Sequence, residues 1–265
     1  MVNKGRDVVM PVKQSVCVPI LPPMDRDELY KALADIGYPA IEIWGRGDDF
    51  DGVCAAAETY GLKVVSMIGH DSLTDGLNRP ENHDRIEAEL RVSIDIAAER
   101  GIGGLICFSG NIVEGIEEEE AIDNTADGLR RVASYAEDKG INLNIELLNS
   151  KVDHEGYQCD CTEWGLEVVE RVGSSRVKLL YDIYHMQIME GDVIRTIGEH
   201  SGAIGHFHTA GNPGRSDLDD TQELNYAAIC AAIAATGYDG YVGHEFRPKG
   251  DVLPALKQAF EICDV

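Results

Sequence analysis

Basic residues are scarce in this chain: 23 Lys and Arg stand against 47 Asp and Glu, a formal net charge of −24. A field of that sign repels nucleic-acid phosphates and anionic lipid headgroups, so neither is an expected partner. No apolar run approaches the ~20 residues needed to cross a bilayer, which excludes a membrane-spanning helix. The early stretch "VCVPIL" is broken by Pro19 and is too short for a secretory h-region, so a cytoplasmic location is expected. No two cysteines have C-x-x-C spacing. The seven present, Cys17, Cys54, Cys107, Cys159, Cys161, Cys230 and Cys263, are odd in number and fall mostly within apolar segments. Reduced, buried thiols are expected in place of a disulfide frame or a zinc knuckle. A phosphate-cradling glycine loop after an early strand is also missing, which argues against an open, doubly wound sheet.

The acids themselves are unevenly placed. They crowd segments such as "EGIEEEEAIDNTADG" and "DLDDTQE", and lysine is scarcer than arginine. Adaptation to a saline cytoplasm and plain solubility both account for this pattern.

With 265 residues, 44% of them hydrophobic, the chain fits one large domain spanning 1–265. An apolar, strand-like run followed by a charged segment of helical period recurs eight times. The runs are 13–18, 40–44, 63–68, 103–108, 141–147, 177–182, 203–208 and 241–245. Amphipathic stretches between them include 25–36, 82–100, 118–139, 162–172, 225–236 and 251–262. Asp25 and Thr162 stand where helices should be N-capped; Gly37, Gly101, Gly140, Gly173 and Gly237 stand where they should stop. Alternating β and α units imply a parallel sheet, and eight of them imply closure into a (β/α)₈ TIM barrel.

Four polar residues close successive strand runs: Glu146 in "INLNIE", Asp182 in "VKLLYD", His208 in "AIGHFH" and Glu245 in "YVGHE". In a barrel these ends converge on one rim, where three carboxylates and an imidazole make an oxygen-rich site for one divalent cation. Manganese, magnesium or cobalt suits that donor set. Two glutamates on opposite sides of a bound hydroxy-carbonyl compound are also what proton transfer between adjacent carbons requires. Parity agrees, because Asn142, Asn144 and Glu146 alternate with Ile141, Leu143, Ile145 and Leu147. Each residue has a plainer reading as well. A strand-end Asp such as Asp182 is often only a helix N-cap, and His206, deeper in its strand, reads as a hydrogen-bonded core histidine. Glu42 reads as a barrel-interior residue or an acceptor behind the site. His185, His70 and Arg215, on loops at the same rim, are candidates to hold substrate.

The motifs "NIELLN", "YDIYHMQIMEGD", "GHFHTAGNPGR…ELNY" and "GYVGHEFRP", with "KQSVC" near the start, resemble those of hydroxypyruvate isomerase-like proteins. These belong to the xylose isomerase-like barrel superfamily. The resemblance runs over most of the chain and is densest from residue 141 onward. It implies a barrel with one divalent metal held by Glu146, Asp182, His208 and Glu245. It further implies that Glu146 and Glu245 move protons and that His185 and Arg215 hold the substrate. His208 departs from the glutamine found in some hydroxypyruvate isomerases and is more like the related ketose 3-epimerases.

The expected activity is therefore metal-dependent isomerisation of a small hydroxy-carbonyl compound, a 2-oxo acid or a sugar, through an enediolate. The alternatives are a ketose 3-epimerase and a non-catalytic sugar-binding barrel. The abasic-site endonucleases that share this barrel need several zinc ions and a DNA groove, and a chain with 8 histidines and a charge of −24 is poorly suited to either. The expected partner is a small molecule, and a homo-oligomer is compatible with the sequence.

Overall fold

A computed structural model describes residues 10–265. Eight strands run in parallel, each paired with the next, and the last pairs with the first to close a barrel. They are β1 (Lys13–Cys17), β2 (Ala40–Glu42), β3 (Lys63–Ile68), β4 (Gly104–Cys107), β5 (Asn142–Glu146), β6 (Val177–Asp182), β7 (Ile204–Thr209) and β8 (Tyr241–His244). Around them lie α1 (Arg26–Ile36), α2 (Phe50–Thr59), α3 (His83–Arg100), α4 (Glu118–Lys139) and α5 (Thr162–Val172). The series continues with α6 (Ile183–Met189), α7 (Val193–His200), α8 (Tyr226–Ala235) and α9 (Val252–Cys263). None of these helices is long and apolar enough to cross a membrane.

The core fills the layer between sheet and helices. Leu33, Leu90, Leu129, Leu143, Leu179, Ile233 and Leu256 are fully buried there. Removing each such side chain from water contributes roughly 1.5–3 kcal/mol. All seven cysteines are free, and five of them are buried.

The sequence places every strand to within about two residues and leaves three helices unmarked. Helix α2 buries only Ala57, so it shows no apolar stripe. Helices α6 and α7 have seven and eight residues, too few for a period to repeat. Asp25 caps α1 as expected, its Oδ1 accepting from the Glu28 amide at 3.0 Å. Thr162 does not cap α5. It is the first helical residue, behind Cys161, and its amide and hydroxyl both donate to the carboxylate of Glu190. Four of the expected stops, Gly37, Gly101, Gly140 and Gly173, end their helices in the left-handed conformation. Gly237 has a positive φ two residues past the end of α8.

Candidate active site

The barrel interior is polar along one file of residues. Glu42, at the end of β2, reaches across to β7, where the Nε2 atoms of His206 and His208 each lie 3.0 Å from its Oε2. Its Oε1 accepts from the Ser15 hydroxyl at 2.6 Å. Burial pushes the Glu42 carboxyl up, but the two imidazoles outweigh it and hold the group below the usual carboxylate range. An ionised Glu42 only accepts, so both histidines must donate from Nε2. The reach depends on a glycine. A Cβ at Gly243 on β8 would sit 2.0 Å from Glu42 Oε1 and 3.0 Å from a His208 ring carbon.

Above this file, Glu146, Asp182, His208 and Glu245 each present one ligand atom, and all four atoms lie within 4.8 Å of one another. None of the four residues is more than 6% exposed. Glu146, Asp182 and His208 stand at or one residue inside the ends of β5, β6 and β7. Glu245 follows β8, and its amide continues the ladder by donating to Thr209. Asp182 also caps α6, with Oδ1 accepting from the His185 amide at 3.1 Å, so capping leaves the other oxygen available.

His208 shows what the cluster needs. Its Nε2 proton is given to Glu42, so the Nδ1 lone pair points toward Glu245 Oε2 at 3.3 Å and Glu146 Oε1 at 3.6 Å, with no hydrogen bond. A lone pair facing carboxylates is repulsive unless a proton or a cation lies between them. In the bare protein, burial pushes the His208 pKa down, but Glu42 and Glu245 overcome that and raise it well above normal. Burial raises Glu146 and Asp182, with the charge of Glu245 adding to both. Three desolvated carboxylates and one inward-facing imidazole nitrogen fit a divalent cation of oxygen preference. The carboxylate–imidazole pair behind the nitrogen is the arrangement that orients a metal-binding histidine.

Glu245 is held from both sides. Trp44 Nε1 donates to its Oε1 at 3.1 Å, the Cys17 thiol lies 3.6 Å from the same oxygen, and Arg215 Nη2 donates to Oε2 at 2.5 Å. Burial pushes this carboxyl up, yet Arg215 and His208 prevail and hold it well below the usual range. Arg215 thus faces a protein carboxylate through Nη2, and its buried Nε has no partner among the described residues. Its φ of 51° places it in the left-handed region that non-glycine residues rarely adopt.

His185 is fully buried beside the cluster. Asn149 Oδ1 accepts from the amides of Val152 and Asp153, so Asn149 Nδ2 must donate to His185 Nδ1, 2.6 Å away. That fixes the proton on His185 Nε2, which has no hydrogen-bond partner among the described residues and lies 3.7 Å from Asp182 Oδ2. Burial keeps this imidazole neutral. His70 stands apart from the four. Its Nε2 accepts from the Phe108 amide at 3.0 Å, and it borders a cleft formed by the segments that follow β1, β2 and β3. His206 is the core histidine expected of it, and Glu42 the acceptor behind the site. Sequence reasoning passed over Trp44, Cys17 and Asn149, none of which carries a spacing or a motif that would single it out.

Comparison with known proteins places these residues in a wider setting. The family model described as xylose isomerase-like TIM barrel matches residues 30–263. Hydroxypyruvate isomerase of Escherichia coli K12 is 31% identical over 178 residues, 67% of this chain and 68% of its own length. 2-Oxo-tetronate isomerase of Cupriavidus necator is 32% identical over 186 residues, 60% of this chain and 71% of its own. Among solved structures, an AP endonuclease, family 2, from Brucella melitensis superposes with a TM-score of 0.80 at 23% identity. It covers 95% of this chain and 98% of that one.

Proposed function

The chain belongs to the xylose isomerase-like TIM barrel family, and on that premise we propose that it is a metal-dependent isomerase of a small hydroxy-carbonyl compound. The observation that carries this reading is the closeness of four buried ligand atoms, two of them from glutamates, around the inward-facing nitrogen of His208. Glu146, Asp182, His208 and Glu245 would hold the ion. When bound, it would polarise the substrate carbonyl and stabilise the negative charge that develops on its oxygen. One glutamate takes the proton from the carbon beside the carbonyl, leaving an enediolate. The proton returns to the former carbonyl carbon from the same pair of side chains, and the hydroxyl proton passes to the former carbonyl oxygen, which completes a 1,2-shift. His185 offers its Nε2 proton to a substrate oxygen. Arg215 and Trp44 hold Glu245 in place.

Two relatives are named as isomerases of hydroxypyruvate and of 2-oxo-tetronate, which supports an isomerase here. A second reading, 3-epimerisation of a ketose, uses the same side chains, with the proton leaving one face of C3 and returning to the other. His208, in place of glutamine, favours it. The test is proton exchange. Protein loaded with manganese, magnesium or cobalt is incubated in D₂O with hydroxypyruvate, tetronates and free ketoses. Metal-dependent deuterium at C–H positions is expected: for an isomerase, at C1 or C2 of a ketose–aldose pair and at C3 of hydroxypyruvate or C2 of its product, and for an epimerase, at C3 of a ketose. No exchange into any of these compounds by metal-loaded protein would overturn both readings.

A further inference from the structure

The segments after β1, β2 and β3 enclose a cleft of about 1020 Å³ that the four-ligand cluster does not line. Its connection to the cluster is Trp44. One side of this residue lines the cleft, and its indole Nε1 donates to Glu245 Oε1 at 3.1 Å. Trp44 is 39% exposed, while the other tryptophan, Trp164, is buried. Its backbone is also fixed, because its carbonyl accepts from the Ile68 amide at 3.0 Å. The result is a rigid aromatic face, open to the cleft and anchored at its edge to a proposed proton carrier.

Size, charge and wall chemistry together define what fits. Clefts of roughly 300–1,000 Å³ take molecules of drug size, so a three-carbon acid would leave most of this one to water. The walls include Ile43, Phe50, Val53 and Ile68, which suit the C–H faces of a ring. Among the described residues, Arg46 is the only lysine or arginine on the lining, against Asp48, Asp49, Asp71 and Glu89. Arg26 and Arg85 neutralise Asp49 and Glu89 from outside, leaving Asp48 and Asp71 against Arg46. Burial holds His70 neutral, with its pKa lowered to about 3, so it adds no charge. Because its Nε2 accepts from Phe108, its proton must sit on Nδ1, a buried atom with no partner among the described residues. An acidic or phosphorylated tail would meet net negative charge here. A neutral polyol meets apolar walls and a flat indole.

Building on the isomerase reading, we propose that this cleft receives the non-reacting part of the substrate and that the substrate is an uncharged carbohydrate of hexose size or larger, its ring stacked on Trp44. The reacting hydroxy-carbonyl end extends past the indole edge to Glu245.

Two measurements test this on the metal-loaded full chain. The first is tryptophan fluorescence during titration with isomaltulose, a neutral keto-disaccharide, with hydroxypyruvate and fructose 6-phosphate as comparison ligands. Isomaltulose should change the emission, and Trp44→Phe, which keeps only the buried Trp164, should abolish the change. The second is kcat/KM for the same compounds in the parent and in Val53→Trp, which narrows the cleft away from the carboxylates. The neutral sugar should be preferred at least tenfold in the parent. Val53→Trp should lower its kcat/KM at least tenfold more than that of hydroxypyruvate, mainly through KM. Turnover of hydroxypyruvate with no Trp44-dependent response to the sugar would overturn the cleft proposal and leave the isomerase reading intact. A Trp44-dependent response without deuterium exchange into any compound would sustain the cleft proposal and end the isomerase reading.

Discussion

Glu146 and Glu245 occupy unlike surroundings although both lie at the cluster. Glu245 is contacted by Trp44, Cys17, Arg215 and His208, whereas His208 is, among the described residues, the one basic group in contact with Glu146. Replacing either with glutamine keeps the shape and removes the proton carrier. Each variant should lose turnover by at least ~10²-fold. Metal content measured on the same samples separates lost chemistry from lost ion, and full activity in either would exclude that residue as a proton carrier. His70 supplies a pH prediction remote from the cluster. Its folded pKa, about 3, lies below the ordinary value of 6.5. Between those values the unfolded chain binds a proton that the folded chain refuses, so stability falls as the solution is acidified, by about 1.4 kcal/mol per pH unit. His70→Gln keeps an acceptor for the Phe108 amide and removes the titration. Its melting temperature should fall less steeply than the parent's from about pH 6 to about pH 4, and parallel curves would contradict the assignment. The four cluster residues were legible because each is a polar side chain closing an apolar run. Trp44 was not, since a single tryptophan after a strand has no period to betray it.

At the level of strands and helices, alternation carried more information than propensity. The two-residue period of β5 placed Asn142, Asn144 and Glu146 on the inner face, where Asn144 and Glu146 are buried. Helices α2, α6 and α7 escaped because they are short or bury too little to print a stripe on the sequence. Thr162 was misread because a threonine at a helix start has two ways to use its hydroxyl, and here Glu190, on a distant segment, takes it. The approach of the Glu42 side chain to Gly243 on β8 makes a separate prediction. Gly243→Ala adds a Cβ 2.0 Å from Glu42 Oε1, and the carboxylate must move off His208. With its orienting partner displaced, the histidine should bind metal about 10–100-fold more weakly, the range for loss of such a group. Glu42→Gln should weaken binding similarly without the steric push. Unaltered metal affinity in both variants, measured by titration calorimetry, would mean that Glu42 does not orient the site.

For the molecule as a whole, the excess of negative charge outweighs its ion pairs. Arg171 alone pairs with Glu119, Asp123 and Glu167, yet 47 acids share only 23 basic residues. Salt weakens both attractions and repulsions at the surface, and in a chain of charge −24 the repulsions are more numerous. Raising KCl from about 0.1 M to about 1 M shortens the screening length from about 10 Å to about 3 Å and should raise the melting temperature. Each kcal/mol gained is worth roughly 2–4 °C for a domain of this length. A flat or falling curve would mean that local pairs, not net charge, govern stability. The closed barrel has a further consequence, which concerns inheritance. The four cluster residues all lie on or directly after β5 to β8, whereas the cleft is built by segments that follow β1, β2 and β3. A crossover between related genes near residue 141 would exchange one half of the barrel without interrupting the other. Such a chimera would keep its reaction and change its taste in substrates, provided the seam still matched at Glu42 with His208 and at Trp44 with Glu245.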